Sequence, residues 1–207
     1  MADQETVSER FSDEDATPAR KRPRPGERRL QILQTLASML EQPGAERVTT
    51  ASLAAKIGVS EAALYRHFAS KAQMFEGLID FVDQSVIGLI RQVTDREPAG
   101  PVQASRIVAL LLQFAEKNPG MSRVMIGDAL VLEHERLQER INLLFDKIEA
   151  QLRQSLKTSD SPTPTADAQL VASLLVAFMQ GRLQRFARSG FKRLPSEHLQ
   201  AALTKML

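Results

Sequence analysis

Thr49-Thr50-Ala51-Ser52-Leu53-Ala54-Ala55-Lys56-Ile57-Gly58-Val59-Ser60-Glu61-Ala62-Ala63-Leu64-Tyr65-Arg66-His67-Phe68-Ala69-Ser70-Lys71 is the stretch that decides the fold. Thr49 and Thr50 offer an N-cap, Leu53, Ala54 and Ile57 give the next helix one buried face, and Gly58 ends it as a C-cap residue. Alanine at the crossing lets a second helix approach closely, and Val59 fills the gap between the two. Ser60 is the next N-cap, ahead of a helix expected over 61–68. Leu64 and Phe68, at i and i+4, anchor that helix to a core. Its other side presents Ser60, Ala62, Ala63, Tyr65, Arg66 and His67 outward. This is a helix-turn-helix, whose second helix lies in a DNA major groove with its first residues near base edges. Its dipole favours a phosphate beside Ser60.

Upstream, a helix is expected from Arg28, with Leu30, Leu33, Ala37 and Leu40 inward and Ile32, Leu36 and Met39 widening the stripe, until Pro43-Gly44 stops it. Three short helices over 28–71 make a compact DNA-binding domain. Residues 1–27 read as a disordered tail, polar and charged, with Pro18, Pro23, Pro25 and Gly26. Its charge is sorted. Residues 1–15 carry Asp3, Glu5, Glu9, Asp13, Glu14 and Asp15 against Arg10, a net of −5. Residues 16–71 carry ten bases against four acids, and 72–207 are close to balance. Six of those bases, Arg20, Lys21, Arg22, Arg24, Arg28 and Arg29, fall within ten residues. Such a cluster fits the phosphates of a polyanion or the adjacent minor groove, and otherwise serves as a solubilising tail.

Downstream of residue 71 every segment has helical period. Helices are expected over 70–93, with Met74, Phe75, Leu78, Ile79, Val82, Val86 and Ile90 inward, and over 102–118, 121–132, 133–156, 167–188 and 195–206. Breaks fall at Pro98-Ala99-Gly100-Pro101, at Pro119-Gly120 and in the loop 158–165. The fold class is therefore all-α, about nine helices: a helix-turn-helix domain, then a helical dimerisation and regulatory domain over 72–207.

The chain has 207 residues and no cysteine, which excludes disulfides, thiolate metal sites and cysteine nucleophiles. The longest apolar runs, 107–112 and 170–179, fall well short of the roughly 18 residues that cross a bilayer. Residues 1–15 lack a signal-peptide pattern, so a cytoplasmic protein is expected, and a DNA-binding segment implies that it is nucleoid-associated. His67, His134 and His198 sit in three separate segments without ligand spacing, so neither a metal, a cofactor nor catalysis is expected.

The run Thr-x-x-x-Leu-Ala-x-x-x-Gly-Val-Ser followed by x-x-x-Leu-Tyr-x-His-Phe-x-x-Lys, over residues 50–71, resembles the DNA-binding segment of the TetR family of transcriptional regulators. Further stretches, Glu116-Lys117-Asn118-Pro119-Gly120, Gln138-Glu139-Arg140-Ile141-Asn142 and Ile148-Glu149-Ala150-Gln151-Leu152-Arg153-Gln154, are similar to the family's nucleoid occlusion factors. The resemblance implies that Tyr65, His67 and Lys71 contact phosphates, that Thr49 and Thr50 grip the backbone at the first helix's start, and that Ser60, Ala62 and Arg66 lie nearest the bases. Tyr65 as a packing residue and His67 as a core histidine are the plain alternatives.

One helix-turn-helix reads too little sequence, so a homodimer on palindromic DNA is expected, with more than one dimer per site also open. Segment 167–188 is apolar on nearly all sides, and Leu174, Ala177, Phe178 and Gly181 are its candidate dimer contacts. A central helix buried within a monomer is the alternative. Two functions compete for this fold. In the first, the resemblance to nucleoid occlusion factors implies a DNA-bound dimer that binds the tubulin-like division protein FtsZ around Phe81, Leu110, Lys117 and Asn118 and inhibits division-ring assembly over the chromosome. In the second, a repressor is released from its operator by a small apolar ligand, with Gln180 and Arg182 as the polar groups of a pocket.

Overall fold

The computed structural model describes residues 26–42, 48–157 and 164–207, and the described residues are helical without a strand. The helices are α1 (Glu27–Leu40), α2 (Thr50–Ile57), α3 (Glu61–Tyr65), α4 (Lys71–Thr94), α5 (Pro101–Lys117), α6 (Pro119–Met125), α7 (Glu135–Leu156), α8 (Pro164–Arg188) and α9 (Leu199–Met206), with a 3-10 turn at Asp128–Leu130. Arg20, Lys21, Arg22 and Arg24 lie outside the described residues, as do Pro43-Gly44 and most of the loop 158–165.

Each boundary has a local cause. Thr49 caps α2 by accepting from the Ser52 amide, and Ser52 returns the bond to the Thr49 amide, a reciprocal capping box. Gly58, at φ 76°, ends α2 in the left-handed region. Ser60 and Ser70 cap α3 and α4, their hydroxyl oxygens accepting from the amides of Ala63 and Gln73. Every α4 position expected to point inward is buried.

Five expectations are corrected. α3 is shorter than expected: after Tyr65 the chain turns so that Phe68 enters the core, and Arg29 donates to the His67 carbonyl at 2.7 Å while lying 4.0 Å over the Phe68 ring. Leu30 is 53% exposed, because the buried stripe of α1 is Ile32, Leu36 and Leu40 at strict i, i+4 spacing. Pro119 opens α6 instead of only ending α5, the first helical turn being where proline's missing N–H costs nothing. Segment 121–132 breaks at Gly127, φ 77°, where the Gln138 side chain occupies the space a Cβ would need. α9 likewise starts only at Leu199, because the Ser196 amide is held by the Glu116 carboxylate at 2.7 Å in a non-helical turn.

α1 packs on α2, α4 and α6, and α7 lies against α8, α4 and α5. Buried residues from Ile32 to Leu203 join in one core that runs without a gap through the junction at residue 71. The helix-turn-helix head is thereby fixed to the body by packing. A strip of ion pairs adds to this: Glu76–Arg136 at 2.9 Å, Asp80–Arg140, and Asp83–Lys147 at 2.7 Å link α4 to α7. No helix among the described residues is long and apolar enough to cross a membrane.

Candidate nucleic-acid interface

Leu64 and Phe68 are 0% and 1% exposed, so the two anchors hold α3 against the core as their spacing requires. Ser60, Ala62, Tyr65, Arg66 and His67 are all exposed around it, and Ala63 is half-buried. Tyr65 is 45% exposed, and His67 lies outside the core. Arg66 is the residue that caps the C-terminal end of α3, one turn further from the helix start than Ala62. Ser60 uses its hydroxyl oxygen on the Ala63 amide.

The two threonines are preset by their neighbours. Thr49 is tied to Ser52, and the Thr50 hydroxyl donates to the Glu61 carboxylate at 2.6 Å, joining the start of α2 to the start of α3. Glu61 escaped sequence reasoning because the contact bridges eleven residues across the turn. Lys71 is placed differently from a free phosphate ligand. Its side chain is only 26% exposed, its ammonium pairs with Glu133, and it stands 5.6 Å from the Phe75 ring. A phosphate must compete with Glu133 for it. Arg29 is likewise engaged with His67 and Phe68, and Arg28 bonds Gln31 at 2.7 Å.

In the body, Phe81 is 44% exposed and lines an open groove of about 260 Å³ with Leu30, Leu33, Ala37, Asn118 and Met121. Lys117 is exposed beside Asn118, whose side-chain amide donates to the Phe114 carbonyl at 2.7 Å. Leu110 is half-buried and packs against the core outside that groove. On α8, Leu170 and Leu174 are 61% and 53% exposed, and Ala177 and Gly181 continue the same face. Phe178 is half-buried under the Arg182 guanidinium, 4.8 Å from its ring. Gln180 is exposed, and Arg182 donates to the Glu197 carbonyl at 2.7 Å. Neither is turned into the interior. His134 caps α7, its Nδ1 accepting from the Arg136 amide.

A short exposed helix, anchored by two buried side chains and presented on an all-helical body, defines a helix-turn-helix DNA-binding regulator. Residues 32–78 match the family model described as bacterial regulatory proteins of the tetR family, and residues 101–206 match the tetracyclin repressor-like C-terminal domain of the SlmA type. The chain is 49% identical over 177 residues to the nucleoid occlusion factor SlmA of Idiomarina loihiensis, covering 84% of this chain and 90% of that one. It is 50% identical over 174 residues to the SlmA of Shewanella oneidensis, covering 83% and 88%. A transcriptional regulator from Rhodococcus sp. Rha1 has the same fold, with a TM-score of 0.69 at 22% identity over 86% of this chain and 92% of that one. The chain belongs to the TetR family, in the branch of the nucleoid occlusion factors SlmA.

Proposed function

We propose that this protein is a nucleoid occlusion factor: a homodimer that binds palindromic chromosomal sites and, when DNA-bound, engages FtsZ and inhibits division-ring assembly. The observation that carries this reading is near-half identity to SlmA over 84% of the chain. Family regulators work as DNA-binding dimers, which supports a nucleoid location for this chain.

On DNA, Tyr65 and His67 are the free backbone contacts, Thr49 contributes by exchanging its hydroxyl bond to Ser52, and Thr50 joins them once its bond to Glu61 gives way. Lys71 reaches phosphate by exchanging Glu133. Ser60, Ala62 and Arg66 face the bases. Because arginine is the commonest reader of guanine O6 and N7, Arg66→Ala should weaken binding to a selected site by about 1–3 kcal/mol and relax specificity at one base pair. Binding measured against a panel of single-base variants checks this. Undiminished discrimination in the variant removes Arg66 as a base reader.

In the FtsZ-binding role, exposed Phe81 and half-buried Asn118 share a groove, and Lys117 beside them suits an acidic peptide segment. Leu110, half-buried on α5 outside that groove, is the fourth candidate contact. The test is anisotropy of a labelled FtsZ C-terminal tail peptide, titrated with the protein with and without a DNA site. Saturable binding, weakened at least about tenfold by Phe81→Ala, is the expected result for a buried aromatic anchor. No binding in either state would sink the division-inhibitor reading.

A further inference from the structure

Between Asp167 and Glu197 the chain holds no acidic residue, yet Arg182, Arg185, Arg188, Lys192 and Arg193 fall within twelve positions. Arg182 is engaged with Glu197 and Phe178. The other four are exposed at the end of α8 and in the loop after it, and make no ion pair among the described residues. The loop is well formed: the amides of Lys192 and Arg193 both donate to the Ser189 hydroxyl, at 3.1 and 2.9 Å. Behind it lies a further cation. Arg123 has a side chain 10% exposed, its guanidinium stands 5.6 Å from the Phe191 ring, and its Nε and Nη1 lack a hydrogen-bond partner among the described residues. The nearest carboxylate, Asp128, is 3.8 Å from Nε. An under-neutralised guanidinium beneath the loop raises the local potential further. Arg185, Lys192, Arg193, Leu194, Ser196 and Glu197 line a groove of about 640 Å³, so three cations face a single carboxylate there.

DNA binding by α3 leaves this groove without a role, and it leaves one other feature equally unused: the acidic residues 1–15. The two match in sign and charge density. Residues 16–26 link the acidic run to the start of α1 and span at most about 35 Å, residues 1–15 add at most about 50 Å, and a domain of this size, with a radius of gyration of about 17 Å, is roughly 43 Å across. The acidic run therefore reaches the groove, and tethering gives it an effective concentration on the order of millimolar.

We propose that residues 1–15 dock in the cationic groove at the end of α8, and that docking keeps them off the Arg20–Arg29 cluster. Six carboxylates a few residues from that cluster would otherwise neutralise it and compete with phosphate. DNA binding and docking then favour each other, since each leaves the other's partner free, and the linkage is reciprocal.

The test is a two-by-two set: the full chain, Lys192→Glu with Arg193→Glu, deletion of residues 1–15, and both changes together. Affinity for a random-sequence duplex at low salt is the readout, so neither FtsZ nor an operator is needed. The groove substitutions should weaken the full chain by roughly tenfold, as expected when a few phosphate contacts are lost. In the deleted chain they should change nothing. Equal weakening in both backgrounds would make the groove a DNA surface and overturn the proposal, and no change in either overturns it as well. Carbodiimide coupling of the unsubstituted full chain gives a second readout independent of folding in the variants. A cross-link between Lys192 and an acid of residues 1–15 is expected, and its absence counts against docking.

Discussion

Gly120→Ala should destabilise the protein by about 3 kcal/mol or more, at the upper end of what overpacking costs. Gly120 sits in the first turn of α6, and a Cβ there would stand 2.1 Å from the Ala37 carbonyl oxygen and 3.0 Å from its carbon. Both are backbone atoms of α1, so relief requires moving a helix. α1 is also the helix on which α2 packs and from which Arg29 holds the end of α3. The strain is therefore delivered to the junction between head and body, and DNA affinity should fall together with stability. Gly88→Ala is the matched control. It lies in the interior of α4 with nothing within 4 Å of its Cβ position, and the change should be neutral or stabilising by up to about 1 kcal/mol. Urea unfolding of the two variants decides the matter. If Gly120→Ala unfolds at the wild-type midpoint, α1 and α6 do not approach as closely as this structure has them.

The sequence reading succeeded where the deciding contact is local and failed where it is not. The inward face of α4 follows from periodicity alone, and all seven positions expected to point inward are buried. The caps at Thr49, Ser60 and Ser70 and the left-handed Gly58 depend only on residues within a turn or two. Phe81 could be singled out because it departs from its own helix's stripe, and it is exposed. Gly120 is different. In sequence it reads as a helix stop, because nothing within ten residues reveals that Ala37 lies against it. Glu133 was invisible as the partner of Lys71 for the same reason, at a separation of 62 residues. The acids of α4 at 76, 80 and 83 and the bases of α7 at 136, 140 and 147 are regular strips, legible only once the two helices are known to pair. Leu30 shows a further limit. A hydrophobic stripe broader than the buried face leaves its margin in solvent, and that margin is where the Phe81 groove forms.

Leu174→Asp should convert the protein to a folded monomer and lower its affinity for a palindromic site by on the order of 10³-fold, the low end of the gap between specific and non-specific binding. The argument starts from α8, where Leu175, Val176, Met179, Leu183 and Phe186 already satisfy the core. Leu170, Leu174, Ala177 and Gly181 remain, at i, i+4, i+7 and i+11, on a second face left open. Gly181 has nothing within 4 Å of its Cβ position, and a groove of about 360 Å³ runs beside it between α7 and α8. Small residues flanked by leucines let two copies of a helix approach about a two-fold axis, where each residue meets its own counterpart. An aspartate near that axis faces a second aspartate in a desolvated contact, at a cost of several kcal/mol per dimer. In the isolated protomer the same carboxylate stays in water, so thermal stability below the dimer's dissociation range should be retained. Light scattering gives the mass, and titrations of a palindromic duplex and of its half-site give the binding. The palindrome should bind the variant no better than the half-site does. A variant that stays dimeric at full affinity would exclude this face of α8 as the interface and turn attention to exposed Val131 and Leu132 in the loop before α7.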